Sequence, residues 1–144
     1  MSAYKHMSKA WRKPSGSYVK EIMRQEAIRW RRDLTIHRIG KPTRLDRARN
    51  LGYRAKQGFV VVRVRIRKGG ARKPRPSSGR RQRAIGVTKY TRAKNLKEIA
   101  QDRVAKRFPN LKVINSYWVW DDGKSTWFET ILADPQHPVV RSTL

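Results

Sequence analysis

The side chains best suited to chemistry in this sequence are its arginines and lysines, and the chemistry they suit is recognition of phosphate. Lys and Arg number 36 against 10 Asp and Glu in 144 residues, a formal net charge of +26. A guanidinium presents a flat fork of donors that matches phosphate oxygens and also stacks on unpaired bases. The charge is concentrated. Residues 1–46 hold 12 basic and 4 acidic side chains, residues 47–97 hold 18 basic and none acidic, and residues 98–144 hold 6 of each. Self-repulsion of that size opposes compaction, and a polyanion relieves it while shedding condensed counterions. Nucleic acid or an anionic membrane would serve.

Three placements of these cations stand out. In residues 58–67, Val60, Val62, Val64 and Ile66 alternate with Arg63, Arg65 and Arg67, which follow Phe59 and Val61. A period of two sends the aliphatics to one face of a strand and the arginines to the other face or edge. Solvated strand faces normally mix charge signs, so three arginines in register suggest a phosphate-facing row over an ordinary solvent face. Residues 67–92, RKGGARKPRPSSGRRQRAIGVTKYTR, contain ten basic residues, no acid, and much Gly, Pro and Ser. With hardly any apolar area to offset ordering entropy, this loop is expected to be disordered in isolation. Compact domains connect their elements in about 4–6 residues, so the segment reads as an arm that orders between RNA strands. A basic localisation signal in a flexible loop is the alternative, and the two roles can coexist. Just upstream lies Leu51-Gly52-Tyr53-Arg54-Ala55-Lys56-Gln57-Gly58-Phe59. Gly52 and Gly58 allow close backbone approach or unusual dihedrals. Arg54 and Lys56 can reach phosphates, Gln57 ribose hydroxyls or base edges, and Tyr53 can stack. A basic turn leading into a strand reads the same way.

Catalytic arrangements fare poorly by comparison. There are no cysteines, which removes disulfides, thiolate zinc sites and thiol nucleophiles together. His6, His37 and His137 are far apart and show no metal-ligand spacing. Asp121-Asp122 fits a turn better than a site. A two-metal nuclease needs clustered acids beside the basic surface; only Asp46 and Glu98 border it. Gly69-Gly70 is followed by no phosphate-loop pattern. No catalytic residue, metal site or cofactor is expected, apart from Mg²⁺ or other cations bound through RNA. An RNA-processing enzyme or its accessory subunit is therefore disfavoured, and a DNA-compacting protein is a further alternative. Membrane attachment is not expected. No unbroken apolar run, that of residues 59–62 included, exceeds four residues, and no secretory signal pattern opens the chain.

The elements that must carry these groups are legible in part. Asn95 and Glu98 form a capping box for a helix whose Leu96, Ile99, Ala100, Val104 and Phe108 share one face, and Pro109 stops it. Residues 111–120 and 126–133 are rich in β-branched and aromatic residues and are joined by Asp121-Asp122-Gly123-Lys124-Ser125, a hairpin ending at Asp134-Pro135. Ser17 is expected to cap a helix in which Val19, Ile22, Met23, Ala27, Trp30 and Leu34 face the sheet, with Lys20, Arg24 and Arg31 opposite. Residues 3–12 suit a shorter helix before Pro14. Trp30 and Trp127 are expected in the core, while Trp118, Trp120 and Trp127 alternate faces, so at least one must point away from it. Trp11 is left open between stacking on RNA and packing on the helix. The fold class is α+β, a small and mainly antiparallel sheet packed against helices, with long basic extensions. One domain is expected over residues 1–144. It divides into a helical region 1–46, a basic segment 47–97 with strand 58–67 and loop 67–92, and 98–144 with the end of a helix plus the hairpin.

The chain resembles the archaeal and eukaryotic large-subunit ribosomal protein fifteen-e family. The matching residues are Ser2-Ala3-Tyr4-Lys5, Pro42-Thr43-Arg44, the block LGYRAKQGFVVVRVRIRKGG at 51–70, Asn115-Ser116-Tyr117-Trp118-Val119 and Asp134-Pro135. The resemblance implies a small α+β RNA-binding fold in the large ribosomal subunit, in the cytoplasm. It implies large-subunit ribosomal RNA and neighbouring ribosomal proteins as partners, with no membrane and no small-molecule substrate, and no catalysis. Members of that family continue into a further basic tail where this chain stops at Leu144, so contacts made by such a tail lie outside these residues. The side chains expected to meet RNA are Arg12, Lys13, Arg44, Arg47, Arg49, Tyr53, Arg54, Lys56, Gln57, Arg63, Arg65, Arg67, Lys68, Arg72, Lys73, Arg75, Arg80, Arg81 and Arg83.

Overall fold

The sheet this sequence builds has two apolar faces, and helices from different parts of the chain cover them. A computed structural model describes residues 2–70, 73–87 and 92–142. In chain order these form helices α1 (Ala3–Arg12) and α2 (Val19–Trp30), strand β1 (Ile36–Ile39), helix α3 (Leu45–Asn50), strand β2 (Phe59–Arg67), helix α4 (Leu96–Arg107), strands β3 (Lys112–Asp121) and β4 (Ser125–Ala133), and helix α5 (Pro138–Arg141). The four strands make one antiparallel sheet in the order β1-β2-β4-β3, so the fold is α+β with helices packed on an antiparallel sheet.

β2 occupies a central position, which is why its alternation matters. Val62, Val64 and Ile66 join Phe128 and Leu132 of β4 beneath Ala100 and Val104 of α4. On the other face, Val61, Trp127 and Ile131 meet Val19, Met23, Ala27 and Trp30 of α2. Burial of such side chains contributes roughly 1.5–3 kcal/mol each, before ordering entropy is counted. Trp30 and Trp127 contact edge to face with ring centroids 5.9 Å apart, in the core as their patterning predicts. Trp118 leans on the α4 side and Trp120 on the α2 side, separated by a register shift in β3. The hairpin tryptophan that must leave one core therefore enters a second one.

Helix ends follow local chemistry. Glu98 N–H donates to Asn95 Oδ1 at 2.8 Å and Asn95 N–H donates to Glu98 Oε2 at 3.1 Å, the reciprocal box that starts α4. The expected Ser17 cap is not made. Ser17 Oγ donates instead to the carbonyls of Ala10 and Pro14, tying α1 to the turn at Pro14–Gly16, and α2 begins without a side-chain cap. Ile22 and Leu34 are also exposed, not core: α2 ends at Trp30, so Leu34 falls beyond its apolar face. The described part of residues 68–92 contains one 3-10 turn, Gln82–Ala84, and no buried residue.

Candidate nucleic-acid interface

The expected arginine row on β2 is the main correction. Because β2 is central and α2 covers the face its arginines share, the row runs from the interior outward. Arg63 is enclosed, Arg65 is half-buried and donates to the Arg31 carbonyl, and only Arg67 is exposed. Arg63 retains 12 % side-chain exposure and lies over the Trp30 ring, 3.8 Å from its centroid. Its Nη2 reaches Glu129 Oε1 at 3.3 Å and Thr43 Oγ1 at 3.0 Å. Glu129, fully buried, also accepts from Thr43 N–H at 3.0 Å, Thr43 Oγ1 at 2.5 Å and Tyr117 Oη at 2.6 Å. Arg63, Glu129 and Tyr117 stand side by side on β2, β4 and β3, since Arg63 pairs across to Glu129 and Glu129 to Tyr117. A buried carboxylate is tolerable only with such a full set of donors. Burial, reinforced by the Glu129 charge and its hydrogen bond, pushes the Tyr117 phenol far above its ordinary range. This cluster fastens residue 43, and with it the segment leading into α3, to the sheet.

α3 and α1 then present the first group of cations. Arg44 is half-buried, donates from Nη1 to the Trp118 carbonyl at 3.2 Å and lies 4.7 Å from the Trp11 ring centroid, so Trp11 packs within the protein. Burial holds the Arg44 guanidinium below its ordinary range, with Asp46 opposing the shift. Arg49 lies 5.2 Å from the Tyr4 ring centroid. These cation–π contacts, each about 0.5–1 kcal/mol at exposed sites, clasp α1 onto α3. Arg12, Lys13, Arg47 and Arg49 are exposed around that junction.

The turn before β2 supplies the second group. Gly52 and Gly58 take positive φ, 98° and 86°, and a Cβ on Gly58 would meet Val140 Cγ2 at 2.6 Å. The turn they shape exposes Arg54, Lys56 and Gln57. Tyr53 does not stand out to stack; it is buried in the α2-side core, a second correction.

The third group lies where β2 runs out. Lys68 N–H donates to the Lys124 carbonyl at 2.8 Å and its ammonium pairs with Asp121, fixing the loop's root to the hairpin turn. Lys73, Arg75, Arg80, Arg81 and Arg83 are exposed; Arg72 lies outside the described residues. A cleft of about 790 Å³ opens between this root and α4. Its floor includes Ile66, Leu96 and Ile99, and Arg92, Lys94 and Arg103 are among its cations. These three were not among the expected contacts, because they become neighbours of Arg67 only when α4 packs across β2. Thr43 and Glu129 were missed too; the available signal was one acid inside the otherwise uncharged residues 126–133.

A family model described as Ribosomal L15 matches residues 2–143. The chain belongs to the ribosomal L15e family. L15e members are structural, non-enzymatic proteins of the large ribosomal subunit, components of a ribonucleoprotein that serves translation. Membership implies association with ribosomal RNA and other ribosomal proteins. In this L15e chain the 51–70 block spans the glycine-shaped turn, β2 and the loop root, while residues 42–44 are the segment that Glu129 holds. Among the described residues no helix is long and apolar enough to cross a membrane, and no three His, Asp or Glu side chains group to hold a metal ion.

Proposed function

We propose that this chain binds and stabilises large-subunit ribosomal RNA by neutralising phosphates that must approach one another as the RNA compacts, and that it has no catalytic role. The observation that carries this reading is a set of uncompensated cations. Arg47, Arg49, Arg54, Lys56, Arg67, Lys73, Arg75, Arg80, Arg81 and Arg83 are exposed, and none makes an ion pair among the described residues. Arg63, Lys68 and Lys94, by contrast, pair with Glu129, Asp121 and Asp102. Contacts of this kind read backbone and shape more than base sequence. Divalent cations enter only as part of the RNA, neighbouring ribosomal proteins meet the remaining surface, and the protein works in cytoplasmic ribosomes.

Filter binding of the purified chain to large-subunit ribosomal RNA tests the reading. With about 6–10 phosphates neutralised, affinity is expected to fall roughly 10³–10⁵-fold between 50 and 200 mM salt. Affinity that does not change with salt rules the mechanism out.

A further inference from the structure

α2 has an apolar face that the fold leaves uncovered. At about 100° per residue, Val19, Met23, Ala27 and Trp30 share one side of the helix, and all four are buried in the core. Tyr18, Ile22 and Ile28 fall within about 120° of one another on the opposite side. They are 68 %, 52 % and 53 % exposed, and Leu34, just past the helix, is 76 % exposed. Single exposed apolar residues need no explanation. Here four of the six exposed large hydrophobics among the described residues fall within residues 18–34, three of them on one face of one helix. Such a concentration marks an interaction surface.

The charges around that face limit what covers it. Residues 1–97 contain four acidic side chains, and three of them, Glu21, Glu26 and Asp33, lie on α2 or just beyond it. Glu26 holds Arg29, and Asp122 of the hairpin turn holds Arg31, so two of the exposed cations here are already matched. Glu21, set between Tyr18 and Ile28 around the helix, makes no ion pair among the described residues, and neither does Arg32. RNA brings only negative charge and would meet Glu21 with its own sign, and a duplex shows phosphates and hydroxyls where this face needs apolar atoms. A second copy of the chain would bring a further net charge of +26 against the first. Another protein supplies apolar side chains and charges of both signs together.

We propose that the outer face of α2 is the seat of a neighbouring large-subunit protein. That partner lays an apolar patch on Tyr18, Ile22 and Ile28 and brings a Lys or Arg to Glu21 and an acid to Arg32. This rests on the reading above in which neighbouring ribosomal proteins meet part of the surface. The test uses large subunits assembled with chains that carry the photo-crosslinking residue p-benzoylphenylalanine, at position 25 in one preparation and at position 54 in another. Gln25 is exposed at the centre of the α2 face, and Arg54 is exposed in the glycine-shaped turn. On irradiation, position 25 is expected to join a second ribosomal protein and position 54 to join RNA. Ile22→Glu combined with Ile28→Glu is expected to reduce the protein adduct at 25 about tenfold and to leave the RNA adduct at 54 unchanged. An adduct at 25 to RNA or to another copy of this chain overturns the proposal, as does no adduct there, or a protein adduct undiminished in the double variant. A protein adduct at 25 without an RNA adduct at 54 supports the proposal and counts against the RNA-binding reading alone. Because both isoleucines are exposed, the double variant is expected to melt within about 4 °C of the unsubstituted chain. Should it unfold, the identity of the molecule joined at 25 in the otherwise unsubstituted chain still decides.

Discussion

Removing one member of the Arg63–Glu129 pair leaves the other charge inside the protein without its counterpart. Arg63→Met is therefore expected to cost about 3 kcal/mol in urea unfolding, because truncating one partner of a buried pair strands the other. Its effect on the salt slope of RNA binding is expected to be negligible, since Arg63 faces Trp30 and Glu129 and not solvent. Tyr117 gives the same cluster a pH signature. Its folded-state pKa lies above the ordinary 10.0, so the folded chain keeps the phenolic proton while the unfolded chain gives it up. The associated stability is present below about pH 10 and is lost as pH rises beyond it. Alkaline denaturation followed by circular dichroism should show the wild type losing its advantage over Tyr117→Phe as pH rises from about 10 to 12, where only the wild type carries this phenol. Alternation alone could not place Arg63 or Tyr53. Period two says that Arg63 shares a face with Val61, but which face is roofed depends on α2, nearly forty residues upstream.

Gly58 is where two elements meet too closely for a side chain. Its φ of 86° is unfavourable for an L residue by about 1–2 kcal/mol, and the 2.6 Å approach to Val140 and 3.0 Å to His137 adds overpacking of about 1–3 kcal/mol. Gly58→Ala is thus expected to destabilise by about 2–4 kcal/mol in thermal or urea melts, whereas Gly70→Ala, with open space around it and no positive φ, should stay within about 0.5 kcal/mol. Elements with strong local signals were readable from sequence: α4 with its capping box, the β3–β4 hairpin, and β2 with its four alternating aliphatics. β1, α3 and α5 were not, because elements of four to six residues carry too few periodic positions to rise above loop. β1 exists through its pairing with β2, from Ile36 opposite Val64 to Ile39 opposite Val61. Of the interface, the exposed cations of α1, α3, the turn and the loop were legible as charge. The cleft beside α4 was not, since it gathers residues distant in sequence, residue 66 with residue 103.

Across the whole molecule the charge and the core are separable. Residues 73–87 contribute no buried side chain, so replacing 73–83 with an uncharged Gly-Ser segment of equal length is expected to shift the melting temperature by no more than about 2 °C. The same replacement removes five exposed cations, Lys73, Arg75, Arg80, Arg81 and Arg83, and should lower the slope of log affinity against log salt by up to about 4, at roughly 0.7–0.9 per neutralised phosphate. An unchanged slope would show that the loop does not touch phosphate. A changed melting temperature would show that it supports the core.

The loop's attachment has its own consequence. Residues 67–92 leave the body from β2, where Lys68 is pinned to the hairpin turn, and return to it at the Asn95 box that opens α4. A strap stitched down at both ends can enter a gap only doubled back on itself, so any opening that admits it must be wide enough for two strands of chain.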